Sequence, residues 1–178
     1  METNPLPVKK RTNMGLFLVL ATLVSVVVGA FTVKTIASRP DLKVSKEKIT
    51  PAERTVFKQK VEQMVARYTV RKEGDMPIVH PPPRSDIYLL ARNYDWGGFI
   101  LELEQGEPYR LHLASMDLRH AIVVHELKLM NRIKPDEIKV IEFAPKAAGR
   151  FKMVCGEWCG IGHASMVGEI IVVETAGK

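Results

Sequence analysis

The chain has 178 residues, of which 46% are hydrophobic and 26% are charged, and its formal net charge is +6. That length allows one domain of ordinary size with additional segments. The excess charge lies in residues 1–76, with 14 basic and 7 acidic side chains, whereas residues 77–178 carry 12 and 13. A near-neutral C-terminal part lacks the basic stripe of a nucleic-acid-binding domain, which argues against nucleic acid as a partner.

Residues 12–33 contain no charged side chain and are dominated by Leu, Val, Ala and Phe. A run of this length can cross a bilayer as one helix. Its rival is a cleaved signal peptide, because Lys9, Lys10 and Arg11 precede it and Val28-Gly29-Ala30 offers a small-residue cleavage site. The apolar run is long for a signal peptide and favours a retained anchor. Basic residues flank both ends. Lys34, Arg39, Lys43, Lys46 and Lys48 outnumber the N-terminal cluster, so charge counting alone would turn the C-terminal part toward the cytoplasm. A basic segment beside an apolar span also suits contact with anionic lipid headgroups.

Residues 34–76 read as a basic linker that contains one helix. Thr50-Pro51-Ala52-Glu53 is a capping box with proline at the first helical position. Phe57, Val61, Met64, Val65 and Tyr68 then recur at helical spacing, which predicts an amphipathic helix over 51–68. Its apolar stripe packs either on a protein surface or on the membrane surface. Four prolines between Met76 and Pro83 predict a stiff extended connector over 77–85.

From residue 86 to 178 the pattern becomes strand-like. Short β-rich runs fall at 87–90, 99–103, 109–113, 121–124, 138–143, 150–154 and 168–173. Gln105-Gly106 marks a turn. Many short strands at regular spacing indicate an all-β sandwich or barrel.

The chemistry sits in Cys155-Gly156-Glu157-Trp158-Cys159-Gly160-Ile161-Gly162-His163-Ala164-Ser165-Met166. The sequence holds 2 cysteines in all, too few for a disulfide framework, and Cys-x3-Cys is wider than the redox Cys-x-x-Cys. Soft sulfur with imidazole selects copper, or less often zinc. Methionine is a poor zinc ligand, and a zinc finger wants two spaced ligand pairs. A single blue-copper site has no use for a second cysteine. Two thiolates make better sense bridging two copper ions, each of which then needs its own imidazole. Ser115-Met116-Asp117-Leu118-Arg119-His120 supplies the second. His125 lies on the same run and competes as the ligand. His80 precedes prolines and reads as a solvated linker residue, and His112 alternates with Leu111 and Leu113 as a strand-face residue.

Ser-x-Asp-hydrophobic-x-His followed by Cys-x-Glu-x-Cys-x3-His-x2-Met resembles the CuA domain of cytochrome c oxidase subunit II, over residues 86 to 174. The resemblance implies an all-β, cupredoxin-like Greek-key β-barrel with its ligands in loops at one end. It implies that Cys155 and Cys159 bridge both coppers and that His120 and His163 bind one each. Met166 is then a weak axial ligand and the Glu157 carbonyl completes the other copper. The Glu157 side chain would reach a magnesium ion at the interface with subunit I. Asp117 and Trp158 would support the ligands from behind, with Trp158 shielding the cluster from water. The segment Ala91–Phe99 resembles the aromatic stretch through which electrons enter, which points to Tyr94 and then Trp96, although Trp96 also suits the core.

The partners this implies are the haem-bearing subunit I, a cytochrome c or similar small donor, and the lipid bilayer. The oxygen chemistry would belong to subunit I, with no catalytic residue in this chain. The tail at 1–11 would lie on the cytoplasmic side, and the C-terminal domain on the periplasmic or extracellular face of the cell's inner membrane. One candidate span resembles the short B-family oxidase type. His120 is followed by Ala121-Ile122-Val123, and Pro135-Asp136 stands where many relatives have Pro-Gly. A nitric oxide reductase of the same superfamily and a membrane-anchored copper-delivery protein are the alternative readings.

Overall fold

The computed structural model describes residues 19–25 and 43–175. The chain divides into two units, 1–40 and 41–178. In the first, 19–25 is helical. The tail expected at 1–11 and the remainder of the anchor expected at 12–33 lie outside the described residues. Among the described residues no helix is long and apolar enough to cross a membrane.

The second unit is a cupredoxin-like β-sandwich of eleven strands and one long helix. It has two separate hydrogen-bonded sheets, where a closed barrel was expected. The first sheet has four strands, β1 (Val44–Lys48), β9 (Glu137–Phe143), β6 (Tyr109–Ser115) and β4 (Asp86–Ala91), in that spatial order. The second has seven: β2 (Thr69–Glu73), β3 (Met76–Val79), β5 (Ile100–Glu104), β11 (Val167–Val173), β10 (Gly149–Cys155), β7 (His120–Val124) and β8 (Leu129–Ile133). Alternation along the strands builds the core. Leu111 and Leu113 of β6, Leu101 and Leu103 of β5, and Ile122 and Val124 of β7 all point inward and are buried.

Helix α1 (Pro51–Tyr68) begins as its capping box dictates. Thr50 Oγ1 accepts from the Glu53 amide at 3.3 Å and the Glu53 carboxylate accepts from the Thr50 amide at 2.6 Å. That amide holds the Glu53 carboxyl below its ordinary range. Phe57, Val61 and Met64 are buried in the domain core, so the stripe packs on protein and not on a membrane surface. Phe57 meets Tyr88 edge-on at 5.5 Å, and the Tyr88 amide donates to Met64 Sδ at 3.3 Å. The helix therefore covers the free edge that β4 would otherwise present. At the other end of that sheet, β1 guards the edge with lysines.

Two expectations need correction. Residues 77–85 are only partly a connector. Met76–Val79 forms β3, which pairs with β2 and runs parallel to β5, with Ile78 and Val79 buried. His80 is not a solvated linker residue. Its Nδ1 lies 3.0 Å from Glu102 and its Nε2 3.6 Å from Glu104. Strands β1, β2 and β8 were not anticipated either. β1 and β2 are exposed at every position, so no apolar alternation marks them.

Candidate metal centre

Four stretches of chain bring the ligand candidates to one end of the sandwich. Cys155 is the last residue of β10, and Met166 immediately precedes β11. These strands are antiparallel neighbours, and the Cys155 amide donates to the Met166 carbonyl at 3.3 Å. The loop between them is folded back by Gly160–His163, Gly162–Ser165 and His163–Met166 turns, with a 3-10 segment at His163–Ser165. Its base is tied to β7 by the Gly156 amide, which donates to the Ala121 carbonyl at 2.8 Å. A side chain at Gly156 would place Cβ 2.6 Å from Val123, so this close approach needs glycine. His120 opens β7 and is fully buried.

The resulting geometry is compact. The two Sγ atoms are 3.8 Å apart. His120 Nδ1 lies 3.8 Å from Cys155 Sγ, and His163 Nδ1 lies 3.6 Å from Cys159 Sγ. Met166 Sδ is 3.8 Å from Cys159, and the Glu157 carbonyl accepts from the Cys155 thiol at 3.1 Å. All six groups proposed from the sequence thus converge. Among the described residues, His120, Cys155 and Cys159 bring their donor atoms all within 4.8 Å of one another. His125, the competing imidazole, is exposed at the far end of β7. His112 sits in β6, paired with Asp86 at 3.0 Å.

The donor set fits copper on its own chemistry. Burial, and then the neighbouring Cys155, push the Cys159 thiol up to about 11. A thiol pushed up in this way becomes a thiolate most readily beside a cation, and thiolates with imidazole and thioether are copper ligands. Asp117 prepares the His120 ring. Its Oδ1 accepts from His120 Nε2 at 2.8 Å, which leaves Nδ1 for the metal. Burial raises the Asp117 carboxyl, but hydrogen bonds from His120 and from the Leu118 and Asn93 amides outweigh it and hold it below the ordinary value.

The surrounding residues are less uniform. Trp96 is buried, and its ring centroid lies 6.4 Å from that of His120, edge-on. Tyr94 is half-buried against the ligand loop. Trp158 does not shield the cluster. It is 73% exposed and lies beside His163, at 5.7 Å between centroids, because its position at the outer turn of the loop points it to solvent. The Glu157 carboxylate faces two guanidinium groups, Arg132 at 3.2 Å and Arg119 at 3.8 Å. That cationic pairing gives a magnesium ion at Glu157 no support. Arg119, Arg132, Gly160 and Gly162 escaped the sequence reading, since their roles depend on which strands become neighbours.

A β-sandwich with sulfur and imidazole donors gathered in loops at one end defines a cupredoxin-like copper domain. No protein-family profile matches the chain. Cytochrome c oxidase subunit 2 of Thermus thermophilus is 28% identical over 114 residues, 60% of this chain and 83% of that protein. An alternative cytochrome c oxidase subunit 2 of Bradyrhizobium diazoefficiens is 31% identical over 103 residues, 58% of this chain and 35% of the relative. One chain of a haem–copper terminal oxidase dimer solved by cryo-EM shares the fold, with a TM-score of 0.51 at 20% identity, covering 89% of this chain and 97% of that one. The chain is a homologue of cytochrome c oxidase subunit 2.

Proposed function

We propose that this chain is the CuA electron-transfer subunit of a membrane haem–copper terminal oxidase. It accepts electrons from a cytochrome c-like donor and passes them to the haem of subunit I. The observation that carries this reading is the convergence of two thiols 3.8 Å apart with one imidazole Nδ1 facing each. Similarity to cytochrome c oxidase subunit 2 supports the assembly with subunit I.

When bound, a dinuclear copper centre supplies reversible one-electron storage. The chain's own residues keep the change of shape small. Cys155, at the end of β10, and Cys159, in the loop that follows, would hold the centre together with His120, His163, Met166 and the Glu157 carbonyl, and Asp117 fixes the His120 ring. Ligands carried at the ends of paired strands are positioned by the rigid sheet beneath them, which suits electron transfer.

Around the site, Trp158 and Ile161 are 73% and 97% exposed. Large apolar side chains standing out from the ligand loop support docking of a small donor protein. Tyr94 and Trp96 serve as the route by which electrons enter. On this reading residues 1–11 form the cytoplasmic-side tail and 12–33 the single membrane anchor. The sandwich lies on the periplasmic or extracellular side of the inner membrane.

The test is electron paramagnetic resonance of the oxidised, fully loaded protein. Hyperfine coupling to two equivalent coppers is expected, and a spectrum of one localised copper would defeat the reading. Purification from native membranes should bring a haem-bearing subunit with it, and that subunit's turnover with oxygen identifies the terminal acceptor.

A further inference from the structure

One loop touches the chain beside His120, the loop between Cys159 and His163, and Met166. Residues 92–98 join β4 to β5 and are braced internally. Arg92 and Asp95 exchange backbone hydrogen bonds of 3.2 and 2.7 Å, and their side chains pair at 2.8 Å. The Gly98 amide donates to Asp95 Oδ1 at 2.7 Å. Three contacts leave this braced turn. The Asn93 amide donates to Asp117 Oδ2 at 2.6 Å, while the other oxygen of that carboxylate holds His120 at 2.8 Å. The Trp96 indole N–H donates to the Met166 carbonyl at 3.4 Å. The ring of Tyr94 lies on Gly160 and Gly162, which lie between Cys159 and His163.

The Tyr94 contact explains an otherwise unforced glycine. Gly162 has φ −85°, a conformation open to any residue. A Cβ there would overlap the Tyr94 ring. At Gly160, where φ is +116°, the backbone favours glycine on its own account. A Cβ there would also come 2.7 Å from the Tyr94 hydroxyl. Two glycines thus open a slot, and one aromatic ring fills it.

We propose that loop 92–98 is a clamp that holds the halves of the ligand set in register, with Tyr94 as the residue that positions Cys159 and His163 through Gly160 and Gly162. Close-packed surfaces transmit displacement, so a ring seated in a glycine slot fixes the loop it covers. Without the ring, the loop between Cys159 and His163 loses its packing on the 92–98 turn and rests on its turn hydrogen bonds and the Trp158–His163 ring contact, while His120 stays fixed by Asp117. The spacing between the two halves then varies. This inference rests on the two-copper reading of the site. It assigns Tyr94 a task separate from passing electrons, since a route for electrons has no effect on how firmly copper is held.

The experiment measures copper release from the full-length, copper-loaded protein to a strong chelator such as EDTA, together with the resonance spectrum and the melting of the metal-free protein. Tyr94→Ala and Gly162→Ala should each release copper about 10- to 100-fold faster than wild type, the range seen when residues supporting metal ligands are removed. Tyr94→Phe should release copper at the wild-type rate, because the ring still fills the slot. The Tyr94→Ala, Gly162→Ala double variant should lose less than the two single losses combined, because the new methyl occupies the vacated slot. Wild-type copper retention in Tyr94→Ala would overturn the clamp. So would metal-free variants that fail to fold, which would make Tyr94 a general core residue. A wild-type protein that never forms a shared two-copper centre would instead overturn the reading on which the clamp rests.

Discussion

Asp117 Oδ1 lies 2.8 Å from His120 Nε2, and the opposite nitrogen of the same ring lies 3.8 Å from Cys155 Sγ. The carboxylate therefore selects the tautomer that turns a lone pair toward the thiols. Asp117→Asn keeps the shape but can present its amide N–H to Nε2 and so favour the proton on Nδ1. Copper affinity should fall by about 10- to 100-fold, as for other residues that orient metal-bound histidines. Chelator competition measures the loss, and unchanged melting of the metal-free variant shows that the sandwich is intact.

Cys159 in the metal-free protein is a reluctant nucleophile. Burial and the adjacent Cys155 raise its pKa, so its thiolate is scarcer at pH 8 than that of an exposed cysteine. Alkylation at pH 8 should run at least about tenfold slower than for an unfolded control. Because the folded pKa is the higher one, this thiol favours the folded state at pH below the ordinary value of 9.0. That contribution is lost as pH rises through the folded value. Stability of the metal-free domain should therefore decline in the alkaline range, and Cys159→Ala should flatten the decline.

Glu102 is nearly buried, with 5% of its side chain exposed, and two side chains surround it with three nitrogens. Arg71 Nη1 donates at 2.9 Å, Arg71 Nη2 bonds the second oxygen, and His80 Nδ1 lies at 3.0 Å. The Arg71 hydrogen bond is the largest cause that holds this carboxyl below its ordinary 4.5. The depressed folded pKa contributes stability that is complete above the unfolded value and is lost as pH falls through the folded one. Metal-free protein should lose stability below about pH 4.5. Glu102→Gln should weaken that dependence, Asp117 and Asp86 keeping their share of it, and cost about 1–3 kcal/mol at neutral pH, read by urea denaturation.

Helix α1 gives a test of a different kind. Phe57 is 2% exposed and packs on Tyr88. Phe57→Ala should destabilise the domain by about 3–5 kcal/mol, the usual cost of emptying an aromatic site in a core. A helix lying on a lipid surface would show almost no change in a detergent-solubilised protein.

Much of this was legible in the sequence, and the reason is locality. The capping box and stripe of α1 lie within one stretch of chain, and the ligands lie in two short motifs whose spacing survives folding. Strand β7 was legible because Ala121 to Val124 is a short continuous apolar run, which suits a strand buried on both faces. Strand β1 was not, because an exposed edge strand of Val, Ser, Lys and Glu has no apolar period to read. Pro77 made β3 look like a connector, although its strand pairs on both sides. The slot that Gly160 and Gly162 form for Tyr94 joins segments far apart in the chain, so no window of sequence contains both parts. Trp158 was misjudged for the same reason. Lying between two ligands in sequence says nothing of which way a loop side chain points.

Met166 and Cys159 should differ in kind as ligands. Met166 Sδ lies 3.8 Å from Cys159 Sγ and is fully buried at the start of β11. Met166→Leu preserves volume and apolarity, so the core it belongs to should survive. The variant should still hold two coppers, with a shifted reduction potential, since a weak axial ligand tunes the potential of a copper site without being needed to retain the metal. Cys159→Ser replaces one of the two sulfurs proposed to hold the coppers by a harder oxygen that ionises far less readily. It should lose the shared centre and keep at most one copper with altered colour. Both variants should melt as cooperative sandwiches when metal-free, because the residues beneath the site form a core of their own. Copper content by mass spectrometry and the resonance spectrum of each variant decide the matter. An empty Met166→Leu beside a Cys159→Ser that keeps a delocalised two-copper spectrum would reverse the roles assigned to the two sulfurs.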